Sequence, residues 1–217
     1  TIYLLEDAEK TTITDCNIKR LTLKGGNHGT TVTECDIQDS TYGYAISLKN
    51  SNDCVFKNNM LLNNECTLKS ESSNGLVFES NTMTSPKKIY AEGIIIDGGN
   101  SISITRNRLL AHTENIVLKD VNNVLISNNE ISSGLWGSSG ILVEGGSSIT
   151  IQENSFYGNN IDISATAIEY IDISSNNFNT YSKSVVLYDT ENGNICMNTF
   201  TGSNQHGKGV YFARSHY

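Results

Sequence analysis

The sequence predicts an all-β fold, a right-handed parallel β-helix solenoid of about nine coils of 19–26 residues, on three observations. A short apolar pattern recurs along the whole chain. One column of that pattern is filled by Asn, and each repeat carries a second segment that alternates with the period of a strand.

The recurring pattern is apolar, two spacers, Asn or Cys, one spacer, apolar, as in TTITDCNI, ISITRNRL and VLISNNEI. Its anchors are Ile13, Val32, Phe56, Phe78, Ile104, Ile126, Ile151, Ile173 and Ile195. Three residues after each anchor stand Cys16, Cys35, Asn59, Asn81, Asn107, Asn129, Asn154, Asn176 and Asn198. Asn tolerates a left-handed backbone and its amide can bond to the next copy in a stack, so this column predicts a sharp bend repeated coil upon coil. Two residues further comes a second apolar column, from Ile18 to Phe200. Its last three members, Phe156, Phe178 and Phe200, predict an aromatic row.

The alternating segments include RLTLKGG, AISLKNS, CTLKSES, GIIIDGG, NIVLKDV, GILVEGG and NIDISAT. Period-two alternation makes them strands, with inward pairs such as Leu21/Leu23, Ile46/Leu48, Cys66/Leu68, Ile94/Ile96 and Ile161/Ile163. A leucine-rich repeat shares the anchor pattern, but its return segment is helical or irregular, whereas here the return is a β-branched strand. Gly-Gly pairs such as Gly98 and Gly99 link strand to strand and open no helix, so they read as turns rather than phosphate cradles. The single domain 1–217 begins and ends on a strand, which leads us to expect excision from a longer chain whose flanking segments, or partner subunits of a homotrimer, cover the open ends.

Composition narrows the function. The formal net charge of -8 argues against a nucleic-acid partner, because phosphate binding needs a basic face. No apolar run approaches the roughly 20 residues that span a bilayer, which argues against membrane insertion. The five Cys read mainly as buried thiols, with a Cys16–Cys35 disulfide as a geometric alternative. Nothing resembles a Ser/His/Asp triad or a Cys/His metal cluster, so no cofactor and no metal are expected.

Length variation is confined to the corner that enters the alternating strand, and insertions in a solenoid often line its binding face. That corner carries Tyr90, Glu92, His112, Glu114, Trp136, Tyr157 and Tyr181. An outward column beside it reads Lys24, Lys49, Lys69, Asp97, Lys119, Glu144, Ser164. Carboxylates are therefore the candidate catalysts. Asp97 and Glu144 lie two coils, or about 9.6 Å, apart, near the upper end of an inverting glycosidase pair. Glu92 and Glu114 sit in adjoining loops. Lys119 and His112 are candidates for a base or a charge neutraliser in a lyase. Trp136, Tyr90, Tyr157, Tyr181, Lys49 and Lys69 are the candidate substrate contacts, Trp136 first because a sugar face stacks on an exposed indole.

In its coil pattern the chain resembles the pectate-lyase-like superfamily of right-handed β-helices, which includes polysaccharide lyases, polygalacturonases, epimerases and bacteriophage tailspikes. The resemblance covers the whole chain and implies a saccharide groove over the outer face of the alternating strand. It implies a polysaccharide or cell-surface glycan as partner, and an extracellular or virion-surface location. The polygalacturonase motifs are absent, with NHG at 27–29 and QHG at 205–207 as echoes, so no catalytic residue carries over. The alternative is a structural or adhesive spike segment without chemistry.

Overall fold

The computed structural model describes residues 1–5, 8–41, 43–85, 91–110, 112–133, 137–179, 182–201 and 208–214. Each coil has three sides. In the third coil these are Tyr44–Lys49, Val55–Lys57 and Met60–Leu62. All pairing between coils is parallel: the first face stacks ten strands from Ile2–Leu5 to Lys208–Ala213, and the third face forms a separate nine-stranded sheet. In three central coils the first and second sides run together as strands of 14 residues, Glu92–Thr105, Glu114–Ser127 and Ser139–Gln152.

The core is the stack of inward columns, and it forms one continuous cluster. Phe156, Phe178 and Phe200 stack with ring centroids 5.0 Å apart, the aromatic row read from the sequence. The Asn column is bonded from coil to coil. Asn129 Nδ2 donates to Ile104 O in the preceding coil at 2.8 Å and to Asn154 Oδ1 at 3.0 Å, while its own Oδ1 accepts the backbone N–H of Asn107 at 2.8 Å. The same set recurs at Asn59, Asn81, Asn107, Asn154 and Asn176.

Two sequence readings need correction. The left-handed residue at the bend is not the Asn but its predecessor: Asp15, Glu34, Asn58, Ser80, Arg106, Asn128, Glu153, Ser175 and Met197 all have φ between 52° and 58°. The Asn is chosen for its amide, which must reach two neighbouring coils, and the strain falls on whichever residue precedes it. The second correction concerns register. Leu68 and Ser70, not Cys66 and Leu68, stack on Ile46 and Leu48. Likewise Ile163 and Ala165, not Ile161 and Ile163, stack on Ile141 and Val143. An alternating strand fits its neighbours equally well after a slip of two residues, and a buried Ser and a small Ala stand where a larger apolar residue was expected.

Candidate functional site

The corrected register rearranges the outer face of the first sheet. It carries three outward columns. The first runs Tyr44, Cys66, Glu92, Glu114, Ser139, Ile161; the middle runs Ser47, Lys69, Ile95, Val117, Leu142, Ser164; the third runs Lys49, Glu71, Asp97, Lys119, Glu144, Thr166. Lys69 and Ser164 therefore leave the charged column, and Glu71 and Thr166 replace them. The expected row of three like-charged Lys does not exist. Glu71 instead takes Lys69 Nζ at 2.7 Å and Lys49 Nζ at 3.5 Å. Those contacts, Lys69 first, lower the Glu71 carboxyl below its usual range. Asp97 and Glu144 are two coils apart, but Lys119 stands between them and binds Glu144 at 3.1 Å.

Glu92 and Glu114 are the pair this register brings together. Both lie at the start of strands rather than in loops, directly opposite each other on neighbouring coils. Adjacent parallel strands are about 4.8 Å apart. Gly93 makes the approach possible, since a Cβ there would sit 2.2 Å from the carbonyl oxygen of Asn115. The Glu92 carboxylate accepts a hydrogen bond from the Cys66 thiol, Sγ to Oε2 3.2 Å. Burial, and then that bond, push the Cys66 thiol up to about 12, so it remains a donor at neutral pH. The Glu114 carboxyl is raised by burial first and by the Glu92 charge second, against a smaller opposing effect of Lys119. A carboxyl raised in this way is suited to act as an acid beside a second carboxylate.

Other candidates fall elsewhere. His112 is fully buried, its Nδ1 3.2 Å from Asn115 Oδ1, and burial lowers its pKa to about 4. Buried in this way, it cannot meet a substrate. Tyr157 lies on the third face, in strand Ser155–Tyr157, where its hydroxyl donates to Glu130, itself bound to Arg108 at 2.9 Å. Lys49 and Lys69 do lie on the first face, Lys69 Nζ sitting 5.4 Å from the centre of the Tyr44 ring. Trp136, Tyr90 and Tyr181 lie outside the described residues. The sequence reading missed a shallow depression at one end of the same face, lined by Tyr3, Arg20, Thr22, Lys24, Tyr44 and Ser47. Its signal was the outward alternation of Thr22 and Lys24 beside a Tyr on the next coil.

Three parallel faces and an amide-bonded corner define a right-handed parallel β-helix. The chain belongs to the NosD family, described as a periplasmic copper-binding protein, which matches residues 2–167 and again 87–217. No curated protein is detectably similar in sequence. Among solved structures, a double mutant of the periplasmic alginate epimerase AlgG is 12% identical with a TM-score of 0.58, covering 98% of this chain and 70% of that one. A mutant tailspike protein of the E. coli bacteriophage HK620, in complex with a pentasaccharide, is 15% identical with a TM-score of 0.52, covering 85% of this chain but only 47% of its own. The A-module of the Azotobacter vinelandii mannuronan C-5 epimerase AlgE4 is 14% identical with a TM-score of 0.51, covering 100% of this chain and 75% of the module. At these identities the likeness is one of fold.

The family description raises the question of a copper site. Among the described residues no three His, Cys, Asp or Glu side chains converge to hold an ion, so a three- or four-ligand site does not fit. The soft donors that stack are Cys16 and Cys35, in register on the first two coils, and a cuprous ion with two thiolate ligands suits that pair.

Proposed function

We propose that the chain acts on a polysaccharide outside the cytoplasm, gripping it along the outer face of the first sheet and cleaving a glycosidic bond between Glu92 and Glu114. The observation that carries this reading is the in-register carboxylate pair, with Glu114 raised by burial and by its neighbour. A separation near the coil spacing of about 4.8 Å is close to the roughly 5–5.5 Å of a retaining pair and far from that of an inverting one. Glu92, oriented by the Cys66 thiol, attacks the anomeric carbon as the bond to the leaving oxygen breaks, and Glu114 gives its proton to that oxygen. Water then enters, losing a proton to Glu114 as the glycosyl ester to Glu92 opens. Tyr44, Lys69 and the depression around Tyr3 and Lys24 supply flanking contacts for sugar rings. The family's periplasmic description, the periplasmic epimerase and the tailspike all support a location outside the cytoplasm. The test is incubation with neutral and acidic polysaccharides, read as new reducing ends and, for elimination, as absorbance of unsaturated products. Glu92→Gln and Glu114→Gln must each abolish turnover while leaving the fold intact.

One observation favours a second reading. Most charges of the third column are ion-paired, Lys49 on Glu71, which also takes Lys69 from the middle column, and Lys119 on Glu144, as on a solvated face of a structural rod. Binding without product across the whole panel supports that rod.

A further inference from the structure

We propose that Tyr170, Asp172 and Asn194 form a binding site for a neutral sugar ring on the second side of the solenoid, around the corner from the outer face of the first sheet. The site is a shallow depression across the strands Ser139–Gln152, Ile171–Ser174 and Gly193–Cys196, with Ser148, Thr150 and Asn192 completing its lining. Nothing in the proposed cleavage uses these residues.

The register assembles the site. Thr150, Asp172 and Asn194 are paired in sequence on three neighbouring coils and form one outward column. Tyr170 and Asp172 flank the buried Ile171, so the ring and the carboxylate both face outward. Ile171 pairs with Ile149 and Gly193, and through Ile149 with Val124 and Ile102, so the residues that share the place of Tyr170 on other coils are Ser101, Asn123, Ser148 and Asn192. Four small polar residues in that column show that the corner does not need a ring for packing. The ring is 48% exposed, with only Ser148 and Asn192 on either side of it, which leaves its face open to a ligand.

The polar groups are already oriented. Asp172 Oδ1 accepts from Asn194 Nδ2 at 2.8 Å, and Asp172 Oδ2 accepts from Ser174 Oγ at 3.1 Å. Each oxygen keeps a second lone pair, so the carboxylate can accept from two hydroxyls on adjacent carbons of a pyranose while the C–H face of that sugar lies on the Tyr170 ring. Charge selects against an acidic sugar. Residues 145–153, 167–175 and 189–197, which make this side of the three coils, include no Lys or Arg but carry Glu169 and Glu191 beside Asp172. A uronate or sulfated ring would meet only carboxylates here, unlike on the first face with its Lys49 and Lys69. Among the described residues no three acidic side chains converge to hold an ion, so the carboxylates do not form a metal site either.

The experiment follows backbone amides by NMR while the full chain, carrying Glu92→Gln so that no product forms, is titrated with cellohexaose, mannohexaose or trigalacturonate. At least one neutral oligosaccharide shifts the amides of Thr150, Tyr170, Asp172 and Asn194, saturating with a Kd on the order of 1 mM, as expected for a ring on an open surface. Trigalacturonate leaves those amides in place. Tyr170→Ser gives this coil the residue that Ser148 supplies on the preceding one; it keeps the circular dichroism of the parent and weakens binding about tenfold, as loss of an aromatic anchor does. Asp172→Ala also weakens binding, whereas Tyr170→Phe retains it. The proposal is overturned if neither neutral oligosaccharide moves these amides, if binding survives Tyr170→Ser, or if trigalacturonate binds here as tightly. These outcomes do not depend on whether Glu92 and Glu114 cleave a glycan, because the readout is local to the second side.

Discussion

Replacing Asn129 by Ala removes the amide at the middle of the Asn column, and the structure gives the size of the effect. The side chain donates to Ile104 O at 2.8 Å and Asn154 Oδ1 at 3.0 Å, and accepts from Asn107 N at 2.8 Å and Asn107 Nδ2 at 3.1 Å. Asn154 Oδ1 keeps the backbone N–H of residue 129, and Asn107 Nδ2 keeps Phe78 O. The groups that lose their amide partner outright are the Asn107 N–H and the Ile104 carbonyl. Four bonds at about 1 kcal/mol each give a loss of about 4 kcal/mol, with more if the orphaned groups stay dry. For a chain of this size that lowers the melting temperature by about 10 °C. Asn198→Ala, at the half-exposed end of the same column, removes three bonds from groups that water can reach and costs about 1 kcal/mol. Paired guanidinium and thermal unfolding of the two variants is the assay. A loss at Asn129 below about 1 kcal/mol, or equal losses at both sites, refutes the view that the amide stack stabilises the corner.

The burial that lowers His112 to about 4 predicts acid sensitivity. A base whose folded pKa is depressed contributes stability at high pH and loses it as pH falls from about 6.5 to 4, here about 3 kcal/mol in all. Stability curves of the parent and His112→Phe, measured over that range, must diverge; parallel curves sink the assignment. Ser70 points inward between Leu48 and Ile96, and its buried hydroxyl lacks a hydrogen-bond partner. Ser70→Ala therefore stabilises by about 1 kcal/mol and Ser70→Glu prevents folding, whereas both are silent if the strand has the unshifted register. Ser175 precedes its Asn with φ 56°. Ser175→Gly is at least neutral, while Ser175→Val costs about 1 kcal/mol, and equal melting temperatures for the two contradict left-handed strain at the bend.

Much of this architecture was legible because a solenoid writes its geometry as columns. The anchors, the Asn column and the aromatic row each required only that one residue type recur at one phase, and each appears in the fold at that phase. The phase itself was less secure where chemistry and periodicity disagreed. Cys66 looks apolar and Ser70 does not, yet Cys66 faces outward to Glu92 and Ser70 faces in. Ile161 looks like core, yet it stands in the outward column beyond Ser139. The slip hid the Lys49–Glu71–Lys69 cluster and left Glu92 and Glu114 as loop residues, because a pair on neighbouring coils becomes visible only once both coils share one register. His112 was misplaced for a related reason: a polar residue beside variable loops reads as exposed, but its side chain is fully buried against Asn115.

The most direct measurement is product formation from a panel of neutral and acidic polysaccharides by the parent, Glu92→Gln and Glu114→Gln proteins, with circular dichroism showing all three folded. The account predicts new reducing ends from at least one glycan, with the anomeric configuration retained in the first product, a rate that falls as rising pH strips the proton from Glu114, and no turnover by either variant. Reducing ends released equally by the parent and both variants, or none from any glycan, would contradict it.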